Sequence, residues 1–258
     1  PVIDNALAAG NPIPDELADR AEVRRQALAN GTANREAAKQ FPDAFQHTES
    51  MGWIPEGWKT GKITDLADLN SESWSNKTHP DHVNYVDLAN TKNGRINEVS
   101  PYDFSEAPSR ARRVLKVDDT IIGTVRPGNR SFAYIHEDGL TGSTGFAVLR
   151  PKQEACRSYV YLCLTQDDVI DHFAHLADGG AYPAIRPEVV GNLKTVTFPK
   201  ELMKLFDQQC YPLIEKIGQH QRAAETLTKL RDTLLPKLIS GELRIPEAEQ
   251  LIEKTLDV

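Results

Sequence analysis

The residues best suited to chemistry in this chain are a cluster of cations. Residues 92–130 hold eight basic side chains (Lys92, Arg95, Arg110, Arg112, Arg113, Lys116, Arg126 and Arg130) against five acidic ones, inside a chain of net charge −7. A guanidinium is planar and always charged, and its fork of donors pairs bidentately with phosphate or with guanine O6 and N7 in the major groove. Arg110-Ala111-Arg112-Arg113 precedes a predicted strand, and Arg126-Pro127-Gly128-Asn129-Arg130 falls in a predicted hairpin turn. Cations in loops on a β scaffold suit DNA reading. The same window also fits a solvated basic face, and the acidic balance of the whole chain is the opposite of a usual nucleic-acid binder's.

Other constellations carry less. Gly139, Gly142 and Gly145 are spaced like a phosphate loop, but no Lys-Ser/Thr follows and Phe146–Leu149 reads as a strand, so a turn is expected. His79-Pro80-Asp81-His82 resembles a metal cluster, yet Pro80 breaks the helix that would align the histidines. A polar loop and no metal site are expected. The sequence has no G-x-S-x-G elbow, Walker loop or H-E-x-x-H motif, and Asn11-Pro12-Ile13-Pro14 lacks the adjacent prolines and the aromatic of an amino-methyltransferase tetrad. No catalytic residue and no cofactor bound by this chain are expected.

These residues need a scaffold, and 258 residues with 40% hydrophobic and 26% charged side chains can build a core. No run reaches the roughly eighteen apolar residues of a membrane span. Pro1-Val2-Ile3-Asp4 has no basic or apolar leader segment, and three scattered cysteines (Cys156, Cys163, Cys210) do not make a disulfide framework, so a reducing, cytoplasmic compartment is expected.

Four regions are expected. Residues 1–52 form a helical and linker region, with a helix from Pro14 to about Gly31 and a polar linker over 32–52. Residues 53–199 form an α+β domain, mostly β, opening at Trp53-Ile54-Pro55-Glu56-Gly57-Trp58. Its predicted strands are 83–88, 113–117, 120–125, 131–136 and 145–149, with turns at Lys92-Asn93-Gly94, 127–129 and 137–139. A helix is expected over 157–176, stopped by Asp178-Gly179-Gly180, and a helical turn over 188–193. Residues 200–245 carry a long coiled-coil-type helix, bent near Pro212, whose stripe is Ile214, Ile217, Ala224, Leu227, Leu230, Leu234 and Leu238. A helix of some forty residues is roughly 60 Å long. The stripe calls for a partner helix, and an antiparallel homodimer is expected. Residues 246–258 form a C-terminal tail.

Several stretches together resemble one family. Ile54-Pro55-Glu56-Gly57-Trp58 resembles the opening motif of target-recognition domains in specificity (S) subunits of type I restriction-modification systems. Asp118–Arg126 (DDTIIGTVR) resembles a strand motif of those domains, and Gly179-Gly180-Ala181-Tyr182-Pro183-Ala184-Ile185 resembles one of their loops. Leu230–Leu243 (LRDTLLPKLISGEL) resembles the ending of the family's C-terminal helix. The resemblance covers about residues 54–245. Full-length members carry two recognition domains and two long helices, whereas one of each is present here, so the chain looks like a C-terminal half or a natural half-subunit.

The resemblance implies a non-catalytic DNA reader. Its recognition domain would read one half of a split duplex site, its helix would space recognition domains and dock methyltransferase (M) subunits, and restriction (R) subunits would join. S-adenosylmethionine would sit in the methyltransferase. The DNA face is expected to draw on Lys92, Arg95, Arg110, Arg112, Arg113, Arg126, Arg130, Tyr182 and Arg186. Two other readings stay open: a helix-mediated assembly module without DNA binding, and a small enzyme with an unrecognised site.

Overall fold

The computed structural model describes residues 1–32, 38–177 and 183–246. It divides into two units, Pro1–Tyr211 and Pro212–Val258. The expected Asp178-Gly179-Gly180 stop, the Gly179–Tyr182 part of the loop and most of the tail lie outside the described residues.

The first unit begins with two helices, α1 (Val2–Ala9) and α2 (Ala18–Ala29). Only the second was legible in the sequence. α1 ends at Gly10, whose φ of 72° is the left-handed conformation of a helix stop. It packs on α2 through buried Asp4, which accepts from Arg24 at 2.8 and 2.5 Å. The predicted linker instead contains β1 (Phe45–Thr48), paired antiparallel with β2 (Gly52–Pro55), so the expected domain start falls inside a hairpin.

Next come β3 (Lys59–Lys62), α3 (Ile63–Leu66), β4 (Ala67–Leu69), β5 (His82–Val86), β6 (Thr91–Lys92), β7 (Arg95–Ile96), β8 (Ser100–Asp103) and β9 (Ala111–Val114). After these follow β10 (Thr120–Gly123), β11 (Phe132–Tyr134), β12 (Leu140–Ser143) and β13 (Phe146–Pro151). The unit continues through α4 (Arg157–Leu164), α5 (Asp167–Ala177), α6 (Pro187–Gly191) and β14 (Lys194–Thr197). The last helix, α7 (Lys200–Ser240), runs through Pro212 and Pro236 and spans both units. The architecture is α+β.

Two four-stranded sheets build the domain, in the orders β11-β10-β13-β4 and β8-β5-β12-β9. The central strands of the first read as continuous apolar runs because both faces are covered. Ile121, Ala133, Phe146 and Val148 enter a core shared with Val86 and Leu140 of the other sheet and with Leu115 just past β9. Their neighbours Ile122, Phe132, Ala147 and Leu149 enter a second core closed by Val160, Leu164, Ile170 and Phe173 of α4 and α5. This gives three layers: sheet, sheet and helices. Side chains alternate along a strand, so each of these strands serves two cores.

The chain crosses between sheets just after β4. Asn70, at φ 51°, bonds Val148 in both directions, and Ser73 then bridges Arg113 on β9. The expected single helix over 157–176 is two helices. At the break, the Thr165 hydroxyl and the Gln166 amide donate to the Tyr161 and Leu162 carbonyls, both at 2.8 Å. Such side chains compete with the helical ladder.

A charged network ties the strand motif to the first turns of α7. Arg157 pairs with Asp118 at 3.2 Å and Asp207 at 3.1 Å, and it lies 3.3 Å over the Tyr211 ring. Asp207 also accepts from the Ser158 hydroxyl at 2.5 Å, and Tyr134 donates to Asp118 at 2.7 Å. Asp119 is fully buried against Arg150, which also pairs with Glu72. Burial pushes the Asp119 carboxyl up, and Arg150 opposes it. The family-like pair Asp118-Asp119 therefore has structural work inside the domain.

Candidate nucleic-acid interface

Strand register gathers several loops at one end of the domain. Gly123 stands opposite Phe146, Gly142 lies beside Val86, and Ser143 faces Ala111. The segments following β5, β10 and β12 and preceding β9 and β13 must therefore share that end. Hydrogen bonds tie them together: Thr124 donates to the Gly145 carbonyl from both its amide and its hydroxyl at 2.8 Å, and the Thr144 amide donates to the Arg110 carbonyl at 2.7 Å.

Three further pieces join this end. The β6–β7 hairpin turns at Asn93 and Gly94, whose φ angles of 48° and 79° are those of an Asn-Gly turn. Its Asn93 and Gly94 amides donate to the Arg130 and Phe132 carbonyls, both at 2.9 Å. Residues 126–130 connect β10 to β11 as predicted, but as a single 3-10 turn flanked by left-handed Arg126 and Arg130. The segment after the loop pairs alongside: Arg126 donates its amide to Pro183, and Ile185 donates to Thr124. Close packing demands glycine at 123, because a Cβ there would lie 2.9 Å from the Ser131 carbonyl oxygen.

The nine residues expected at the DNA face separate by position. Lys92, Arg95, Arg126 and Arg130 come together on these loops, and Arg186 follows the Pro183–Ile185 segment into α6. Lys92, Arg95 and Arg186 are exposed and make no ion pair among the described residues. Arg130 is engaged by Asn93 at 3.1 Å and by Asp167. Arg110 belongs to the same end but is held by the Tyr85 hydroxyl at 2.9 Å and by Asp87 at 2.6 Å.

Arg112 and Arg113 lie on β9 itself. Arg112 sits 4.6 Å over the Phe104 ring. Arg113 donates to Ser73 at 3.0 Å, its Nε is buried without a partner, and burial pulls its pKa down. Tyr182 lies outside the described residues.

Sequence reasoning missed what lies around Arg186. A cleft of about 570 Å³ is lined by His172, Arg186, Glu188, Asn192 and Lys194. These residues come from α5, α6, β14 and the segments flanking them, so no local pattern could reveal the cleft. The histidine motif is dispersed: His79 stacks on Phe104 with centroids 3.8 Å apart, and His82 pairs with Asp103 at 2.6 Å. Among the described residues, no three His, Cys, Asp or Glu side chains gather as a metal site, and no helix is long and apolar enough to cross a membrane.

Along α7 the predicted stripe is unevenly covered. Ile214 and Leu234 are buried, and Leu230 and Leu238 are half-buried. Ile217 and Leu227 are 56% and 50% exposed, and Ala224 is exposed.

The chain is similar to two curated type I restriction enzyme specificity subunits. It is 25% identical over 202 residues to the MjaIX subunit of Methanocaldococcus jannaschii, covering 75% of this chain and 46% of that protein. It is 21% identical over 182 residues to the HindI subunit of Haemophilus influenzae, covering 69% and 39%. The chain thus spans less than half the length of these relatives. Among solved structures, it matches the HsdS subunit from Thermoanaerobacter tengcongensis with 25% identity, 73% and 49% coverage and a TM-score of 0.48. The type I S subunit from M. genitalium matches with 18% identity, 71% and 46% coverage and a TM-score of 0.47. No family model matches the chain.

Proposed function

We propose that this chain reads one half of a split duplex DNA site for a type I restriction-modification complex. The observation that carries the reading is the convergence of Lys92, Arg95, Arg126 and Arg130 on one loop end, with Lys92 and Arg95 exposed and making no ion pair among the described residues. Its similarity to specificity subunits supports the same reading. Such cations are available to phosphates and base edges, whereas Arg110 and Arg113 are engaged within the domain. Helix α7 spaces recognition domains, docks methyltransferase subunits, and buries its open stripe against a second helix running antiparallel. The sequence expectation for that helix is a second copy of this chain. Restriction subunits join the assembly. The chain itself is non-catalytic, S-adenosylmethionine belongs to the methyltransferase, and the compartment is the cytoplasm.

The test is duplex binding by the chain assembled with methyltransferase subunits, as Lys92→Ala/Arg95→Ala and as wild type. Each lost phosphate contact reduces the slope of log affinity against log salt by roughly 0.9. The double variant is expected to lose about ten-fold in affinity and up to two contacts' worth of slope. Equal affinity and slope in both proteins favour the assembly-module reading, which the exposed Ile217 and Leu227 also support.

A further inference from the structure

Within Pro212–Val258, α7 carries a seam of strict four-three spacing: Leu213, Ile217, His220, Ala224, Leu227, Arg231, Leu234 and Leu238. Alternating steps of four and three keep one line of a helix facing a partner. Leu213, Ile217 and Leu227 on this line are 66%, 56% and 50% exposed.

The seam and the positions flanking it hold basic side chains and neutral Gln221 and Thr228, but no carboxylate. His220 and Arg231 stand in the seam, and Lys216 and Lys237 occupy positions beside it. The carboxylates of the same stretch, Glu215, Glu225 and Asp232, fall on the outer positions. Arg231 pairs with its neighbour Asp232 at 2.7 Å, but both side chains are more than 60% exposed. Such a pair contributes little and cannot follow Arg231 into a buried interface.

The spacing is palindromic. In an antiparallel pair of two copies, Leu213 meets Leu238, Ile217 meets Leu234, Ala224 meets Leu227, and His220 meets Arg231. Lys216 falls beside Lys237 in the same alignment. Imidazole, protonated or not, offers no carboxylate to a guanidinium that burial has stripped of water, and an unpaired buried charge is costly.

Resting on the antiparallel helix pairing proposed above, we infer that the partner of this seam is a helix of a different sequence, bearing carboxylates opposite His220 and Arg231 and beside Lys216 and Lys237. This inference replaces the second copy as the occupant. Opposite charges at such positions set partner choice in coiled coils, and like charges exclude the wrong one.

The test uses the full chain and two synthetic helical peptides with leucine along a matching seam. One peptide carries glutamate at the positions facing Lys216, His220, Arg231 and Lys237, and the other carries lysine. The wild type is expected to sediment as a monomer at micromolar concentration and to bind the glutamate peptide at least ten-fold more tightly at low salt. The variant His220→Glu supplies the missing carboxylate, so in a pair of its copies the introduced side chain of each faces Arg231 of the other, and it is expected to dimerise. Circular dichroism confirms that the helix persists at this exposed position. A homodimeric wild type, or equal affinity for both peptides, overturns the charge-selected partner and leaves helix pairing standing. No dimer from His220→Glu and no binding of either peptide overturns the pairing itself, and the inference with it. The DNA reading is untouched by these outcomes.

Discussion

The Arg130 guanidinium donates to the Asn93 side chain at 3.1 Å, tying the β10–β11 connection to the tip of the β6–β7 hairpin. This contact fixes where Lys92 and Arg95 stand relative to Arg126. Arg130 also meets Asp167, whose side chain is 84% exposed, so that ion pair contributes less than about 1 kcal/mol. Arg130→Ala is expected to lower global stability only slightly. Amide exchange at Asn93 and Gly94 should accelerate about ten-fold as local opening becomes easier. Unchanged exchange at these amides would mean that the backbone bonds to Arg130 and Phe132 position the hairpin alone.

Arg157 has a different character, being only 11% exposed and shared by Asp118 and buried Asp207. Removing one partner from a buried pair typically costs about 3–5 kcal/mol, because charge is left without compensation. Arg157→Met should therefore cost several kcal/mol in denaturant unfolding, far more than Arg130→Ala. A loss below about 1 kcal/mol would contradict the central place given to this residue in joining α7 to the domain.

The Asp4–Arg24 contact predicts a pH dependence. The hydrogen bond from Arg24 holds the Asp4 carboxyl below its ordinary value, against the opposing effect of burial. A depressed folded pKa means that the unfolded chain binds the proton more readily. The contribution is thus fully present above the unfolded aspartate value near 4 and is lost as pH falls through the lower folded value. Arg24→Met should reduce this acid-side slope, the N-terminal ammonium group 3.6 Å away retaining part of it, and destabilise α1 by about 1–3 kcal/mol at neutral pH. The check is thermal unfolding between pH 2 and 7 in both proteins.

The sequence displayed what rests on local chemistry. Lys92-Asn93-Gly94 announced its turn through residues that tolerate positive φ, and the predicted strands fall close to those of the domain centre. It hid what rests on distant partners. Helix α1 depends on Arg24 reaching Asp4, and the β1–β2 hairpin has only four residues per strand. The helix break at Thr165 and Gln166 turns on side chains bonding back to the preceding turn, which composition does not reveal. The cationic window was visible as a run. Its division into exposed Lys92 and Arg95 and engaged Arg110 and Arg113 was not, because Tyr85, Asp87 and Ser73 lie far away in sequence.

Base-specific reading is the central claim, and selection from a pool of randomised duplexes tests it most directly. The chain, assembled with type I methyltransferase subunits, is challenged with the pool at moderate salt, and the retained duplexes are sequenced. A defined half-site is predicted to emerge, each wrong base pair costing about 1–3 kcal/mol, and to weaken or vanish with Lys92→Ala/Arg95→Ala/Arg126→Ala. A retained pool that stays random, or an enriched half-site that the triple variant leaves unchanged, would contradict the account.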